Sequence, residues 1–163
     1  IVKCCIIIML RFINICFGGD VLKNILFFLL PKKDVVFLNV NCSLKFALEV
    51  METNDYSSIP IVGDKGKYIG AVTQGDLLWA FKNNPHIHFD NCSKYDLKDI
   101  TLHKKIESVR IDQPLEEIIN MAKHQNFIPV TDDNGTFIGI IRRQDVIDYL
   151  LSVLQEEDQY QIG

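Results

Sequence analysis

Apolar and polar residues follow a fixed order along the first half of the chain. A short apolar run at 35–38 is rich in β-branched and aromatic residues, as buried strands are. Ser43 then stands where a helix N-cap is expected, ahead of apolar residues that recur three and four positions apart. The pattern next predicts two strands around a polar turn and then a helix, at 58–62, 68–72 and 74–81. The predicted order is therefore β-α-β-β-α.

The second half of the chain repeats this order. A strand predicted at 108–111 is followed by a helix that begins at Pro114, because proline is favoured at the first helical position. Strands at 127–131 and 136–141 surround an Asn-Gly pair, the strongest short hairpin signal, and a helix at 144–154 completes the unit.

The two halves also match residue by residue. Residues 59–62 (Ile-Pro-Ile-Val) match 128–131 (Ile-Pro-Val-Thr), and 68–70 match 137–139, each pair being 69 positions apart. A constant offset indicates two copies of one folding unit. Because a unit of about sixty residues buries too little surface to be secure alone, the copies are predicted to pack face to face. The expected fold is a mixed α/β (α+β) pseudo-two-fold pair of β-α-β-β-α repeats.

These patterns divide the chain into two repeats and their flanks. The predicted parts are an apolar leader at 1–20, a first repeat at 21–84, a linker at 85–96, a second repeat at 97–155 and an acidic tail at 156–163. The first repeat is expected to open with an apolar helical segment at 21–30. Pro31 should end that helix, because proline lacks the amide donor of a helix interior.

The apolar leader has two interpretations. Residues 1–17 are shorter than the ~20 residues that span a bilayer, and Arg11 lies in their middle, so a membrane segment is not predicted. The chain begins without Met, and the codons of residues 18–20 (Gly-Gly-Asp) can spell a bacterial ribosome-binding sequence ahead of Val21. The leader is then either protein or translated sequence upstream of the true start, and the nucleotide sequence decides between them.

Composition narrows the functional class. A net charge of −4 disfavours a nonspecific nucleic-acid binder. Five cysteines without Cys-x-x-Cys spacing predict reduced thiols in a cytoplasmic protein rather than a zinc cluster or disulfide framework. The sequence offers no Ser-His-Asp or Cys-His motif and no phosphate-binding glycine loop, so catalysis, a metal and a resident cofactor are not expected. A small hydrolase is the alternative, and it requires turnover of a bound ligand.

A carboxylate begins the last helix of each repeat. Asp76 follows Thr73 by three residues, and Asp145 stands at the matching position of the second repeat. A carboxylate there can accept two hydrogen bonds from a vicinal diol. Thr-x-x-Asp is also the pattern of a capping box, which needs no ligand. Both interpretations stay open for Asp76.

Two arginines stand at the start of the last helix. Arg142 replaces the threonine of the first repeat, and Arg143 follows it. Cations at a helix start are unfavourable by roughly 0.3–1 kcal/mol each, so an anion is expected beside them. Asp145 can supply that charge, and so can a ligand phosphate, which the guanidinium fork fits well.

The repeated hydrophobic-Pro-hydrophobic strand and the run Gly-Ala-Val-Thr-x-x-Asp at 70–76 resemble the cystathionine-β-synthase (CBS) domain. Two such domains in tandem form a Bateman module, and the resemblance covers about 21–154. It implies a stand-alone bacterial regulatory protein whose clefts bind an adenine nucleotide: AMP, ATP, S-adenosylmethionine or cyclic di-AMP. It also implies a homodimer and an unidentified protein partner.

The resemblance assigns roles to the candidate residues. Asp76 and Asp145 would hold ribose hydroxyls, and Thr73 would meet ribose or phosphate. The strands around the two prolines would line the adenine pocket, and their residues are Ser58, Ile59, Pro60, Phe127, Ile128 and Pro129.

Two alternatives to a pair of equal nucleotide sites follow. Because the second repeat lacks the threonine, the two clefts can be unequal: the second cleft selects a more heavily phosphorylated ligand, or Arg142 fills it and leaves one site. In the other alternative the clefts stay empty. The chain is then a structural interaction module that recruits a partner through the apolar segment around Leu26, Phe27 and Phe28.

Overall fold

The computed structural model describes residues 25–160, with side chains for 25–155. The predicted leader lies outside this range, as do the last three residues of the predicted tail. Within the range, the chain forms seven strands and four α-helices. The strands are β1 (Leu29–Pro31), β2 (Leu38–Asn39), β3 (Ser58–Val62), β4 (Tyr68–Thr73), β5 (Val109–Arg110), β6 (Phe127–Thr131) and β7 (Phe137–Arg142). The helices are α1 (Leu44–Asn54), α2 (Gln74–Asn83), α3 (Leu115–Ala122) and α4 (Arg143–Tyr160).

The strands form one sheet for each repeat. The first sheet has the order β2-β3-β4, and the second has the order β1-β7-β6-β5. In each repeat a short parallel strand pairs with an antiparallel hairpin, β2 with β3 and β5 with β6. The helices of each repeat bury apolar residues against its own sheet, which gives two separate cores. The predicted mixed α/β pair of repeats is confirmed.

Local signals explain where several elements begin. The Ser43 hydroxyl accepts a hydrogen bond from the Phe46 amide at 3.2 Å, as a helix N-cap does. The strands β3 and β6 keep their predicted bounds, because a proline-containing apolar run ends at a polar turn in each. The helix α4 continues beyond its predicted end at 154 to Tyr160. The strand predicted at 108–111 is shorter, as β5, and the strand predicted at 35–38 overlaps β2 only at Leu38.

The described part of the segment that opens the first repeat is not the predicted helix. After a single 3-10 turn at Ile25–Phe28, residues Leu29–Pro31 extend as β1 and pair with β7 of the second repeat. Pro31 has the extended backbone angles φ −68 and ψ 152. It lacks a donor but stands on an edge strand, where proline is tolerated. Residues 32–37, here called the first crossing segment, then carry the chain from the second sheet to the first.

The predicted linker and the segment after it make the reciprocal exchange. Ile87, Cys92 and Leu97 are buried in the core of the first repeat, so this stretch is packed rather than loose. The Leu97 amide also donates to the Cys42 carbonyl at 3.0 Å. Residues 100–108, here called the second crossing segment, then return the chain to the second repeat. The leading segment of each repeat therefore packs against the other repeat.

A small apolar cluster joins the two sheets. It consists of Ala71, Ile106 and Phe127, with Ile140 packed against it. The Tyr68 ring stacks on Phe137 with centroids 6.1 Å apart. The two repeats consequently share an interior as well as their exchanged segments. Among residues 25–160, no helix combines the length and apolar character needed to cross a membrane.

Candidate functional site

A cleft of about 560 Å³ opens between the two repeats, beside the first crossing segment. This size falls in the usual range of small-molecule sites. Four parts of the chain form its walls: the exchanged leading segment, the start of β3, the start of β6, and the end of β7 with the start of α4. The lining residues are Leu30, Asp34, Val35, Val36, Tyr56, Ser58, Pro60, Asn126, Phe127, Ile140, Arg142, Arg143, Gln144 and Ile147. We call it the open cleft.

Ser58 places an unsatisfied hydroxyl in the open cleft. Its Oγ is buried and has no hydrogen-bond partner, and no other described side chain has such an atom. A buried polar group without a partner costs roughly 1–3 kcal/mol. A ligand that offers a donor or acceptor at this point would recover that free energy.

Arg142 and Arg143 give the open cleft a cationic end. Arg142 forms a two-point ion pair with Asp145: Nε donates to Oδ2 and Nη2 donates to Oδ1, both at 2.8 Å. Hydrogen bonding to Asp145 raises the pKa of Arg142. The pair fixes the plane of the guanidinium and uses about two of the four lone-pair directions of the carboxylate. Asp145 thus supplies the expected anion for Arg142, while Arg143 lines the cleft at the start of α4.

Thr73 and Asp76 form the capping box of α2. The Thr73 hydroxyl accepts from the Asp76 amide at 3.1 Å, and Asp76 Oδ2 accepts from the Thr73 amide at 2.8 Å. Asp76 is only 1% exposed. Neither residue lines the open cleft, so their predicted role as ligand contacts has no counterpart there.

His103 completes the environment of Asp76. The His103 amide donates to Asp76 Oδ1 at 2.7 Å, and its Nδ1 lies 3.4 Å from the same oxygen. Burial alone would raise the pKa of Asp76, but the hydrogen bonds from His103 and Thr73 outweigh it and leave the pKa below its usual value. Sequence patterns did not reveal this contact, because His103 belongs to the second crossing segment and carries no motif.

The family model for the CBS domain matches this chain twice, at residues 23–83 and 97–152. The chain belongs to the CBS domain family. The two matched ranges are the two repeats described above, so the chain carries a tandem pair of CBS domains.

Relatives of the CBS pair include both whole-length matches and parts of larger proteins. A CBS domain-containing protein of Dictyostelium discoideum is 28% identical over 132 residues, which cover 77% of this chain and 91% of that protein. Several enzymes are also related, but the chain spans only 21–24% of their lengths.

Two solved structures share the fold of this CBS pair. The structure of CbpB in complex with c-di-AMP superposes with a TM-score of 0.78 at 20% identity, covering 92% of this chain and 99% of that one. The structure of CBSX2 in complex with AMP superposes with a TM-score of 0.63 at 22% identity, covering 80% and 98%.

Some of the remaining predicted residues of the CBS motifs line the open cleft, and the others are buried outside it. Ser58, Pro60 and Phe127 line the open cleft. Ile59 and Ile128 are fully buried, and Pro129 is buried with them. These three residues therefore lie in the protein interior and not in the wall of the cleft. Tyr56 and the lining residues of the leading segment were missed, because no family motif covers them and the segment crosses between sheets.

The apolar segment at the start of the first CBS repeat is only partly available to a partner. Phe28 packs edge-on against Tyr149 with ring centroids 5.2 Å apart, whereas Phe27 is 76% exposed. The structural interaction module built on this segment stays a prediction. Within residues 25–155, no group of His, Cys, Asp and Glu side chains is arranged to hold a metal ion.

Proposed function

We propose that this CBS pair is a non-catalytic regulatory protein that binds an adenine nucleotide in the open cleft. The observation that carries the proposal is the meeting of a buried, unpartnered Ser58 hydroxyl with the Arg142 and Arg143 end of one cleft. A nucleoside phosphate offers polar groups that can bond the Ser58 hydroxyl and negative charge that can pair with the two arginines. The complexes of CbpB with c-di-AMP and CBSX2 with AMP support the adenine class.

The lining of the open cleft offers apolar surface for a base and positive charge for a phosphate. Val35, Val36 and Ile140 offer apolar walls on which a base can lie. Asp145 is not among the lining residues, and its two bonds to Arg142 hold that guanidinium in a fixed plane at the wall of the cleft. Arg143 lines the cleft at the start of α4 and would meet the phosphate there, where an anion also relieves the unfavourable cation at a helix N-terminus.

A ligand in this position would act on the arrangement of the repeats. It would touch the exchanged leading segment, the first repeat and the second repeat at once, and so favour the arrangement in which all three meet. A ligand changes the proportion of molecules in each arrangement only if it binds one arrangement more tightly than another. We propose that a protein partner reads this arrangement, in a homodimer of the chain.

The phosphate contact predicts a charge effect. Replacing Arg143 with glutamine should weaken AMP binding about tenfold, because one charge-assisted hydrogen bond contributes on the order of 1.5 kcal/mol. Adenosine affinity should change little. Isothermal titration calorimetry with both compounds measures the difference. Arg110→Gln is the matched control, since Arg110 forms its ion pair with Asp112 away from the cleft. Equal losses for AMP and adenosine would contradict a phosphate contact.

A further inference from the structure

The internal duplication predicts a second cleft, which we call the twin cleft, related to the open cleft by the pseudo-two-fold. Each lining residue of the open cleft has a counterpart 69 positions away within the hairpins and final helices. Ser58 corresponds to Phe127, Tyr56 to Gln125, and Ile140 to Ala71. The leading segments match through strand register instead, because Leu38 pairs with Ile61 as Val109 pairs with Val130.

Apolar side chains fill the twin cleft. Phe127, Ala71 and Ile106 form a buried cluster, with exposures of 9%, 1% and 6%. Their counterparts in the open cleft are Ser58, Ile140 and, by register, Val35, and all three are only partly buried there. Phe127 lines one wall of the open cleft and also stands, in the twin cleft, at the position that Ser58 occupies in the open one. The exchange of a small for a large residue removes the space that a ligand would need.

Gln125 seals a second side of the twin cleft. Its Oε1 accepts from the Glu107 amide at 2.8 Å, and its Nε2 donates to the Glu107 carbonyl at 3.0 Å. Gln125 is 7% exposed, whereas its counterpart Tyr56 is 43% exposed. Tyrosine has no carboxamide and cannot form this two-point bond. These two hydrogen bonds hold the second crossing segment against the second repeat, at the position that Tyr56 occupies in the open cleft.

The carboxylate of the twin cleft is also occupied. Asp76 accepts from the amide of His103 in the second crossing segment and from Thr73. Its counterpart Asp145 accepts from the side chain of Arg142 and is 27% exposed. The Asp76 carboxylate and the Thr73 hydroxyl, which could otherwise contact a ribose in the twin cleft, are therefore already hydrogen-bonded within the chain.

We infer that each chain holds one nucleotide, in the open cleft, and that Phe127, Gln125 and the His103–Asp76 contact close the twin cleft from within. This inference rests on the proposed function and specifies its stoichiometry. It differs from the alternative in which Arg142 fills the cleft of the second repeat. The arginine cleft is the open one, and the cleft of the Thr-x-x-Asp motif is shut.

Calorimetric titration of the full chain with AMP tests the stoichiometry. One AMP per chain is expected, and two per chain would overturn the inference while leaving the proposed function intact. The absence of binding by both AMP and c-di-AMP would overturn the proposed function, and the inference with it.

Matched variants then test which cleft binds. Ser58→Phe copies the residue of the closed cleft into the open one and should weaken AMP binding at least tenfold, with the melting temperature recorded to verify folding. Ile147→Ala removes a lining side chain that is 46% exposed and should weaken binding several-fold without harm to the fold. Leu78→Ala alters its counterpart, 58% exposed, and should leave affinity unchanged. Equal losses from Ile147→Ala and Leu78→Ala, or full binding by folded Ser58→Phe, would overturn the assignment.

Discussion

Replacing Asp76 with alanine is expected to lower the free energy of unfolding by about 3–5 kcal/mol, the range for removing one partner of a buried charged contact. The side chain is 1% exposed and accepts from the amide and hydroxyl of Thr73 and from the amide of His103. Its loss leaves these part-buried donors without their partner. Denaturant unfolding monitored by circular dichroism measures the difference.

Asp145→Ala is the matched control for Asp76→Ala. Asp145 stands at the same position of the other repeat, but its partner Arg142 is 56% exposed. An exposed ion pair contributes about 1 kcal/mol or less, so the control should be far less destabilised. Similar losses for the two variants would contradict the internal role of Asp76.

The stability contribution of Asp76 also depends on pH. Its pKa in the folded protein is lowered, so the unfolded state binds the proton more readily. The stabilisation is therefore present above the unfolded pKa of about 3.9 and is lost as pH falls through the folded value. The difference in stability between the wild type and Asp76→Ala should consequently shrink in strong acid.

Replacing Gly139 with alanine is expected to lower the free energy of unfolding by at least the 1–3 kcal/mol that is roughly typical of overpacking. A Cβ at this position would overlap the Leu30 carbonyl oxygen and stand 2.8 Å from Leu29 Cδ1. The backbone of β1 cannot retreat without breaking its pairing with β7. Thermal and denaturant unfolding measure the loss.

Gly70→Ala is the matched control for Gly139→Ala. Gly70 is the counterpart of Gly139, but a Cβ there would meet only the end of the Leu102 side chain, at 3.3 Å. That side chain can move, and alanine also reduces the entropy of the unfolded chain, so a change of about 1 kcal/mol or less is expected. A Gly139→Ala variant as stable as Gly70→Ala would contradict the close approach of β1.

The sequence predicted what short-range patterns determine. The hairpin strands β3 and β6 and the capping signals at Ser43 and Thr73 follow from local residue order, and the constant offset predicted the paired repeats. The helix predicted at 21–30 was wrong over its described part, 25–30, because the partner strand β7 lies more than a hundred residues later in the chain. An apolar run without a strict period does not distinguish a helix from an edge strand.

The candidate site was predicted only in part, for the same reason. Ser58, Phe127, Arg142 and Arg143 carry motifs or unusual charge, and all four line the open cleft. The difference between the clefts depends on Gln125, whose importance arises from its bond to Glu107. That contact joins a loop to a crossing segment, and the sequence offers no signal for it.

Hydrogen–deuterium exchange with and without saturating AMP tests most directly whether a nucleotide binds between the repeats beside the first crossing segment. Slower exchange is expected in peptides covering 32–37, 56–60 and 140–147, with no change across 73–78 and 102–108. Protection confined to the latter two regions, or none in any peptide despite measured binding, would contradict the account.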